Sequence, residues 1–202
     1  MKKDRFVAFF DAIMAIIMTI VVLEFVFPGG ANFSDLEILM FQILVYAVSF
    51  FWLGGMWINI HELWDGVEVI DRLTLWVNIG MLFFTSMIPF FTVYFGRYID
   101  EKIPALLYVI DVLLVTIANE CSVECLARHN ESVKCVLKEF RISIAIDLGI
   151  KIICFTIGLL VFPPLVLIGV IVTSIYLMLS RKFTMNKFKK IKKKQEQENK
   201  DE

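Results

Sequence analysis

Four ionisable residues stand inside long apolar runs of this 202-residue chain and are its first candidates for chemistry: Asp11, Asp111, Asp147 and Lys151. An ionisable side chain within a membrane is costly and needs a partner or water, so it often marks an ion or proton pathway. Asp147 and Lys151 are four residues apart with the acid first, the favourable order for an intrahelical ion pair. Two interpretations stay open, a mutually neutralising pair and a relay that requires access to water.

A second group that could do chemistry is Cys121, Cys125 and His129, which recur every four residues and offer three possible zinc ligands on one helical face. No fourth ligand is evident from the spacing, so we favour ordinary reduced thiols and predict no metal site. The sequence also offers no nucleophile beside a base, no paired carboxylates and no glycine loop for phosphate at persuasive spacing. We predict that the chain is not an enzyme, requires no cofactor and binds no nucleic acid.

The composition points to a lipid environment for these residues. Hydrophobic residues make up 58% of the chain, 19 residues are Phe, and the mean hydropathy is +0.75. A chain of this size cannot hide so much apolar surface inside one water-soluble core. We therefore expect a membrane protein.

Six apolar windows approach or exceed the roughly 20 residues of helix that a bilayer core requires. Pro28 follows the first window, and Pro163 and Pro164 separate the last two. We predict an all-α membrane protein with six transmembrane helices in one domain, residues 1–182. The predicted spans are 6–27, 36–63, 73–95, 104–127, 142–162 and 164–179.

The basic residues predict the orientation of these spans. With six spans both termini lie on one side, and of the 20 Lys and Arg residues only Arg97 and Lys102 fall on the other side, while Lys151 lies within a span. Because basic loops stay in the cytoplasm, we expect a multi-pass protein of the cell membrane with both termini cytoplasmic. The polar tail, 183–202, is predicted to be disordered, and either solvation or adhesion to anionic lipid would suit it.

Helical geometry predicts one apolar stripe along the first span. At about 100° per residue, one side of the helix carries Ala12, Ile16, Thr19, Ile20, Leu23 and Phe27. Asp11 lies well away from this stripe. Apolar residues at these spacings are most often packed against other helices, and the alternative is that they line a pore.

The first span also carries a recognisable pattern. Arg5-Phe-Val-Ala-Phe9-Phe10-Asp11, continuing to Ile16, Thr19, Leu23 and Glu24, resembles the first-helix signature of the transmembrane-protein-175 family of potassium channels, which reads Arg, three residues, then Phe-Ser-Asp. Phe10 departs from it, because the family usually has Ser there. Similarity continues to about Arg97 through Phe51-Trp52, Trp57, His61, Asn78 and Pro89-Phe90.

The resemblance implies six-helix subunits that assemble as homotetramers with the first helix of each subunit lining the pore. Ile16 then corresponds to the family's bottleneck and Thr19 to its adjacent threonine, and Ile20 and Leu23 form further apolar rings. The resemblance also implies a structural polar network behind the pore, made by Arg5, Asp11, Trp57, His61 and Asn78. His61, between two tryptophans, would equally suit an interfacial aromatic belt.

We therefore predict a passive, leak-type potassium channel in which K⁺ is the permeant ion. Glu24 would concentrate cations at the outer mouth or serve as a simple interfacial carboxylate. The alternative function is a proton- or ion-coupled secondary transporter that uses Asp111, Asp147 and Lys151.

Overall fold

The structure is a computed structural model that describes the backbone of residues 3–30 and 32–201. Throughout this part of the chain the regular elements are helices. They are α1 (Lys3–Ile20), α2 (Glu37–Trp64), α3 (Arg72–Thr85), α4 (Ile88–Arg97), α5 (Lys102–Ala127), α6 (Glu131–Lys134), α7 (Leu137–Val161) and α8 (Leu165–Asp201), with short 3₁₀ turns at Val21–Glu24 and Phe33–Leu36.

Five helical segments in the described residues are long and apolar enough to cross a membrane: Lys3–Glu24, Glu37–Trp64, Arg72–Arg97, Lys102–Ala127 and Leu137–Val161. The apolar start of α8, Leu165–Arg181, is shorter and reaches only the lower end of the length that a bilayer core requires. The prediction of an all-helical membrane protein is confirmed. That the chain has six transmembrane spans stays a prediction.

The structure differs from the prediction in the third span, which is two helices and not one continuous helix. Helix α3 ends at Thr85 and α4 begins at Ile88, with Ser86 and Met87 between them. Pro89 occupies the first turn of α4, where a missing backbone N–H is tolerated, whereas in a helix interior it would leave an unpaired carbonyl. The proline therefore accounts for the break.

The C-terminal segment also differs from its prediction. The backbone of α8 remains helical from Leu165 to Asp201, including residues for which we expected no regular structure. Lys, Gln and Glu, which dominate this segment, have high helix propensity, and the segment continues a helix that is already nucleated. Whether the tail is solvated or held on lipid stays a prediction.

The helices pack around α2 and α5. Helix α2 lies against α4 and α8, while α5 lies against α3, α4 and α7. Helices α7 and α8 form a tight antiparallel pair, in which Gly158 approaches Val166 and Gly169 approaches Cys154 so closely that a Cβ would clash. Helix α1 makes comparatively few contacts, with α2, α3 and α4, and so lies at the edge of the bundle.

The start of α3 is fixed by its N-cap, Asp71. The backbone N–H of Thr74 donates to the Asp71 carboxylate at 2.8 Å, which satisfies one of the unpaired donors of the first turn. Hydrogen bonds from Thr74 lower the pKa of Asp71, and His129, at 3.6 Å, adds to this effect. The carboxylate is thereby held in its charged form at the point where the chain enters α3.

Candidate functional site

One side of α1 is left uncovered by the described residues of the chain. Ile16 is 60% exposed, Leu23 is 81% exposed, and Ile20 is 40% exposed, and Ala12 and Thr19 are exposed as well. We call these five residues the α1 stripe. The opposite side of the same segment packs into the bundle through Phe6, Phe10, Met14, Ile17 and Val21.

The C-terminal end of the α1 stripe differs from the geometry expected for a continuous α-helix. The α-helical part ends at Ile20, and Val21–Glu24 form a 3₁₀ turn, after which Phe25 is extended. A 3₁₀ turn advances by about three residues per turn, so Leu23 is rotated from its expected angle. Phe27 lies beyond the helix, and its predicted place in the stripe is wrong.

Thr19 carries the one hydroxyl group of the α1 stripe. This hydroxyl already donates a hydrogen bond within its own helix. Thr19 Oγ1 donates to the carbonyl oxygen of Ala15 at 2.9 Å, and the carbonyl of Ile16 lies at 3.2 Å. A hydroxyl keeps acceptor capacity when its proton is donated. The exposed Thr19 oxygen can therefore accept a hydrogen bond from water or contact a cation.

Asp11 ties α1 to α2 on the bundle side of the stripe. The indole Nε1–H of Trp57 donates to Asp11 Oδ1 at 2.8 Å, and His61 Nδ1 lies 3.7 Å from Asp11 Oδ2. The Trp57 and His61 rings are neighbours, with centroids 5.3 Å apart. Three of the five residues predicted to form a polar network therefore come together here.

The other two residues of that predicted network lie elsewhere. Asn78 donates to the carbonyl of Thr74 and accepts from Ser122 Oγ at 3.0 Å, so it joins α3 to α5 instead of contacting Asp11. Arg5 is exposed and lines a groove between α1 and α3. Phe10, at the position where the family usually has Ser, is 1% exposed and packs against Phe6.

The pair predicted in the fifth span forms a fully buried ion pair. Lys151 Nζ donates to Asp147 Oδ2 at 2.8 Å, and both side chains have 0% exposure. Lys151 also donates to Thr116 Oγ1 at 2.9 Å and lies 5.5 Å from the centroid of the Trp52 ring. Asp111 is likewise buried, and its Oδ2 has no hydrogen-bond partner in the described part of the chain.

Some buried polar contacts were not predicted from the sequence. Ser49 bonds to Tyr108 and Thr92 at 3.0 Å each, which joins α2, α4 and α5. Arg181, which we assigned to the basic cytoplasmic end, is only 3% exposed and lies over the Phe140 ring at 4.1 Å. These partners are far apart in sequence, so no spacing rule could have paired them.

The possible zinc ligands do not assemble in the structure. Among the residues that the structure describes, no three His, Cys, Asp or Glu side chains are grouped closely enough to hold a metal ion. His129 faces Asp71 instead, Cys125 is buried, and Cys121 is exposed.

Comparison with known proteins identifies a matching family and relatives that align with about half of the chain or slightly more. Residues 5–89 match the family described as endosomal/lysosomal potassium channel TMEM175. A protein from Chryseobacterium sp. described as a potassium channel is 35% identical over 58% of this chain and 62% of its own length. Another, from Streptomyces collinus, is 28% identical over 50% of each chain. The matches thus span about half to three fifths of these relatives.

The fold has a counterpart among solved structures. A crystal structure described as a lysosomal potassium-selective channel TMEM175 homolog from Chamaesiphon minutus superposes with a TM-score of 0.72. The superposition covers 89% of this chain and 97% of that chain at 22% sequence identity, which shows a shared fold. Together these matches confirm the resemblance predicted from the first helix, and the matched family is described as one of potassium channels and not as one of enzymes.

Proposed function

We propose that this chain, which carries the TMEM175 family pattern over residues 5–89, is a subunit of a leak-type, potassium-permeable cation channel. The observation that carries the proposal is the α1 stripe, an apolar face left exposed on a helix at the edge of the bundle. The descriptions of two bacterial relatives as potassium channels support potassium as the permeant ion.

The pore is formed by the α1 helices of several copies. Each copy contributes one α1 helix, and a single helix cannot enclose a water-filled path. The family resemblance implies four copies, so we propose a homotetramer in which the four stripes face one axis. The contacts of Asp11 with Trp57 and His61 support this arrangement, because they hold the bundle side of α1 against α2.

Conduction is limited by apolar rings along the axis. Ile16, Ile20 and Leu23 project from successive turns of the exposed face and form constrictions that control ion flow by excluding water. Thr19 stands between them and offers its oxygen to a passing hydrated cation. Glu24, exposed at the end of the 3₁₀ turn, raises the local cation concentration at the mouth. Permeant K⁺ requires no bound cofactor.

The subunits sit in the cell membrane with both termini in the cytoplasm. Nearly all basic residues outside the spans belong to the side on which α1 begins and α8 ends, and such loops remain cytoplasmic. Glu24 then faces the outside, and cations leaving the cell pass Ile16 before Leu23.

The test is the current carried by purified protein in planar bilayers under a potassium-to-sodium bi-ionic gradient, with Ile16→Asn as the variant. An amide at the narrowest ring favours water there, so discrete currents with a larger unitary conductance are expected. Ile153→Asn is the matched control, because Ile153 on α7 is 62% exposed but lies outside the proposed pore. A silent bilayer, or equal effects of both substitutions, would overturn the proposal.

The alternative function is a coupled transporter in which the buried charges of Asp147 and Lys151 take part in transport. A relay through Asp147 and Lys151 needs water, and the complete burial of both side chains favours a structural ion pair. Proton-coupled flux into liposomes that Asp147→Asn abolishes, and that Ile16→Asn leaves unchanged, would favour transport.

A further inference from the structure

A pocket of about 510 Å³ lies among α2, α5 and α8. Most of its lining is apolar and includes Phe50, Trp52 and Met56 from α2 and Leu177 from α8. This volume is typical of pockets that bind small ligands. We call it the α2–α8 pocket.

The α2–α8 pocket lies behind α1, on the side that faces away from the proposed axis. Met18 is the α1 residue in its lining, and a step of two residues from Ile16 rotates the side chain by about 200°. Met18 Cε lies 3.4 Å from the position that a Cβ on Gly54 of α2 would take. The exposed side chains of Phe51 on α2 and Met178 on α8 flank the open side of the pocket. A path into the pocket therefore passes between α2 and α8 and avoids the α1 stripe.

Two polar side chains of the α2–α8 pocket have unpaired atoms. Arg181 and Asn119 both line the pocket, and they are 3% and 8% exposed. Arg181 Nε and Asn119 Oδ1 are buried and make no hydrogen bond within the described residues. A buried polar atom without a partner costs free energy. One donor and one acceptor in this pocket are therefore available to an occupant.

These two polar side chains lie near the inner surface of the membrane in the proposed orientation. Counted from the outer ends of α8 at Leu165 and α5 at Lys102, Arg181 and Asn119 are about 24–26 Å along their helices. The hydrocarbon core is about 30 Å thick, so both residues lie just inside its inner boundary. Phe50 lies about 21 Å before the inner end of α2. The pocket is therefore polar near the inner surface and apolar toward the bilayer centre.

The ionisable groups around Arg181 balance one another. Arg181 interacts electrostatically with Glu120 and Asp147, and Asp147 forms the ion pair with Lys151. Two cations and two acids share this region, so it holds no excess positive charge for an anion. A neutral hydroxyl group suits the unpaired atoms, because it can accept from Arg181 Nε and donate to Asn119 Oδ1.

We propose that the α2–α8 pocket binds a neutral acylglycerol of the bilayer, with a free hydroxyl of its glycerol bound by Arg181 and Asn119. The acyl chain lies along Phe50, Trp52 and Met178. The polar atoms stand at the depth where the hydrocarbon of a bilayer meets its headgroups, which is where the glycerol of such a lipid lies. A soluble polyol would leave the apolar lining without a partner. The inference is independent of the proposed pore.

The test is native mass spectrometry of the full-length protein in detergent, titrated with monooleoylglycerol, methyl oleate or oleate. Methyl oleate has the same chain without a hydroxyl, so it cannot donate to Asn119 and is expected to bind about five-fold more weakly, the effect of one hydrogen bond. Asn119→Leu is expected to weaken monooleoylglycerol binding by about the same factor. The same variant is expected to leave methyl oleate binding unchanged.

A second variant fills the α2–α8 pocket. Gly55 lines the pocket, and no atom lies within 4 Å of the position that its Cβ would take. Gly55→Leu therefore occupies the space without displacing a neighbour and is expected to abolish saturable binding. Gly149→Leu on α7 is the matched control, because a Cβ there also meets no atom within 4 Å and Gly149 is outside the pocket lining. It is expected to bind as the parent chain does.

Several results would overturn the proposal. Tighter binding of oleate than of monooleoylglycerol would identify an anion as the occupant. Equal binding of monooleoylglycerol and methyl oleate, or equal losses of both in Asn119→Leu, would mean that the polar atoms hold water only. Loss of the oligomeric state in Gly55→Leu and not in Gly149→Leu would identify the pocket as an interface between copies. The Asn119→Leu comparison decides the matter by itself if Gly55→Leu does not fold.

Discussion

At the residue scale, the buried pair of Asp147 and Lys151 carries a large electrostatic cost, because both side chains have 0% exposure. Removing a charged group from water costs several kcal/mol per ion in real proteins, and only good geometry and further hydrogen bonds offset that cost. Here the offset comes from a 2.8 Å contact within the pair, the Thr116 hydroxyl and the Trp52 ring. The pair therefore joins α7 to α5 and α2 without leaving a net charge.

Breaking this pair on one side is expected to destabilise the subunit strongly. Lys151→Met leaves a buried carboxylate without its cation, which costs about 3–5 kcal/mol. Replacing both residues, Asp147→Leu with Lys151→Met, removes the uncompensated charge and is expected to recover most of the loss. The measurement is the unfolding transition of purified protein in detergent, and a double variant no more stable than the single one would contradict the expectation.

Residue-level prediction succeeded where partners share a helix or follow the family pattern. Asp147 and Lys151 could be paired from their spacing, and the contact of Asp11 with His61 was among those expected. Trp52 beside Lys151 and Phe140 under Arg181 could not be found, because helix packing creates these contacts. Arg181 shows the reason most clearly, since composition places it with the solvated basic tail.

At the element scale, close contact between α2 and α4 depends on one glycine. A Cβ on Gly96 would lie 2.7 Å from the backbone Cα of Gln42, and a backbone atom cannot move aside as a flexible side chain can. Gln42 is fully buried, and its Oε1 accepts from the backbone N–H of Val26. The same contact therefore helps to hold the extended segment that follows α1.

We expect Gly96→Ala to destabilise the subunit by about 1–3 kcal/mol, the usual cost of forcing an extra methyl into a packed site. Gly80→Ala is the matched control, because no atom lies within 4 Å of the position its Cβ would take. In a helix interior this control is expected to add about 0.5–1 kcal/mol of stability. Thermal unfolding in detergent compares the two, and equal stabilities would show that α2 and α4 can separate freely.

Element boundaries were predictable where apolar runs end sharply and less so where a helix changes type. The predicted start of the fourth span, 104, falls within two residues of the observed start of α5 at Lys102. The end of α1 was placed too late, because hydrophobicity continues through Phe27 while the backbone turns 3₁₀ and then extended. Apolar composition reports burial in lipid or protein and does not report the backbone dihedral angles.

At the scale of the whole molecule, the exposed α1 stripe requires neighbouring copies to complete the proposed pore. We expect Thr19→Cys, in a chain whose four native cysteines are replaced by Ser, to form disulfide-linked dimers under mild oxidation. Thr19 residues of different subunits face one another across the axis in this arrangement. Non-reducing electrophoresis measures the product.

Ile153→Cys in the same background is the control for this experiment. Ile153 is exposed on α7, which the proposal places outside the pore, so few crosslinks are expected from it. Efficient crosslinking at Ile153 together with none at Thr19 would assign the interface to α7 and contradict a pore lined by α1.

The overall architecture was the most predictable level. Apolar composition and periodicity identify an all-helical membrane protein, and the first-helix pattern identifies its relatives. The latter half of the chain carried no recognisable pattern, although the shared fold extends across 89% of the chain. Helix packing preserves shape through many different apolar sequences, so the fold remains similar where sequence identity no longer reveals it.

The hydrogen bond from Thr19 to the Ala15 carbonyl has a consequence for how such a protein is made. A newly inserted subunit meets hydrocarbon before it meets another subunit, and an unsatisfied hydroxyl donor there would cost free energy. Because Thr19 donates within its own helix, the isolated subunit carries no such penalty at this position and can diffuse in the bilayer as a competent precursor. Assembly can then follow insertion as a separate, concentration-dependent stage of biogenesis.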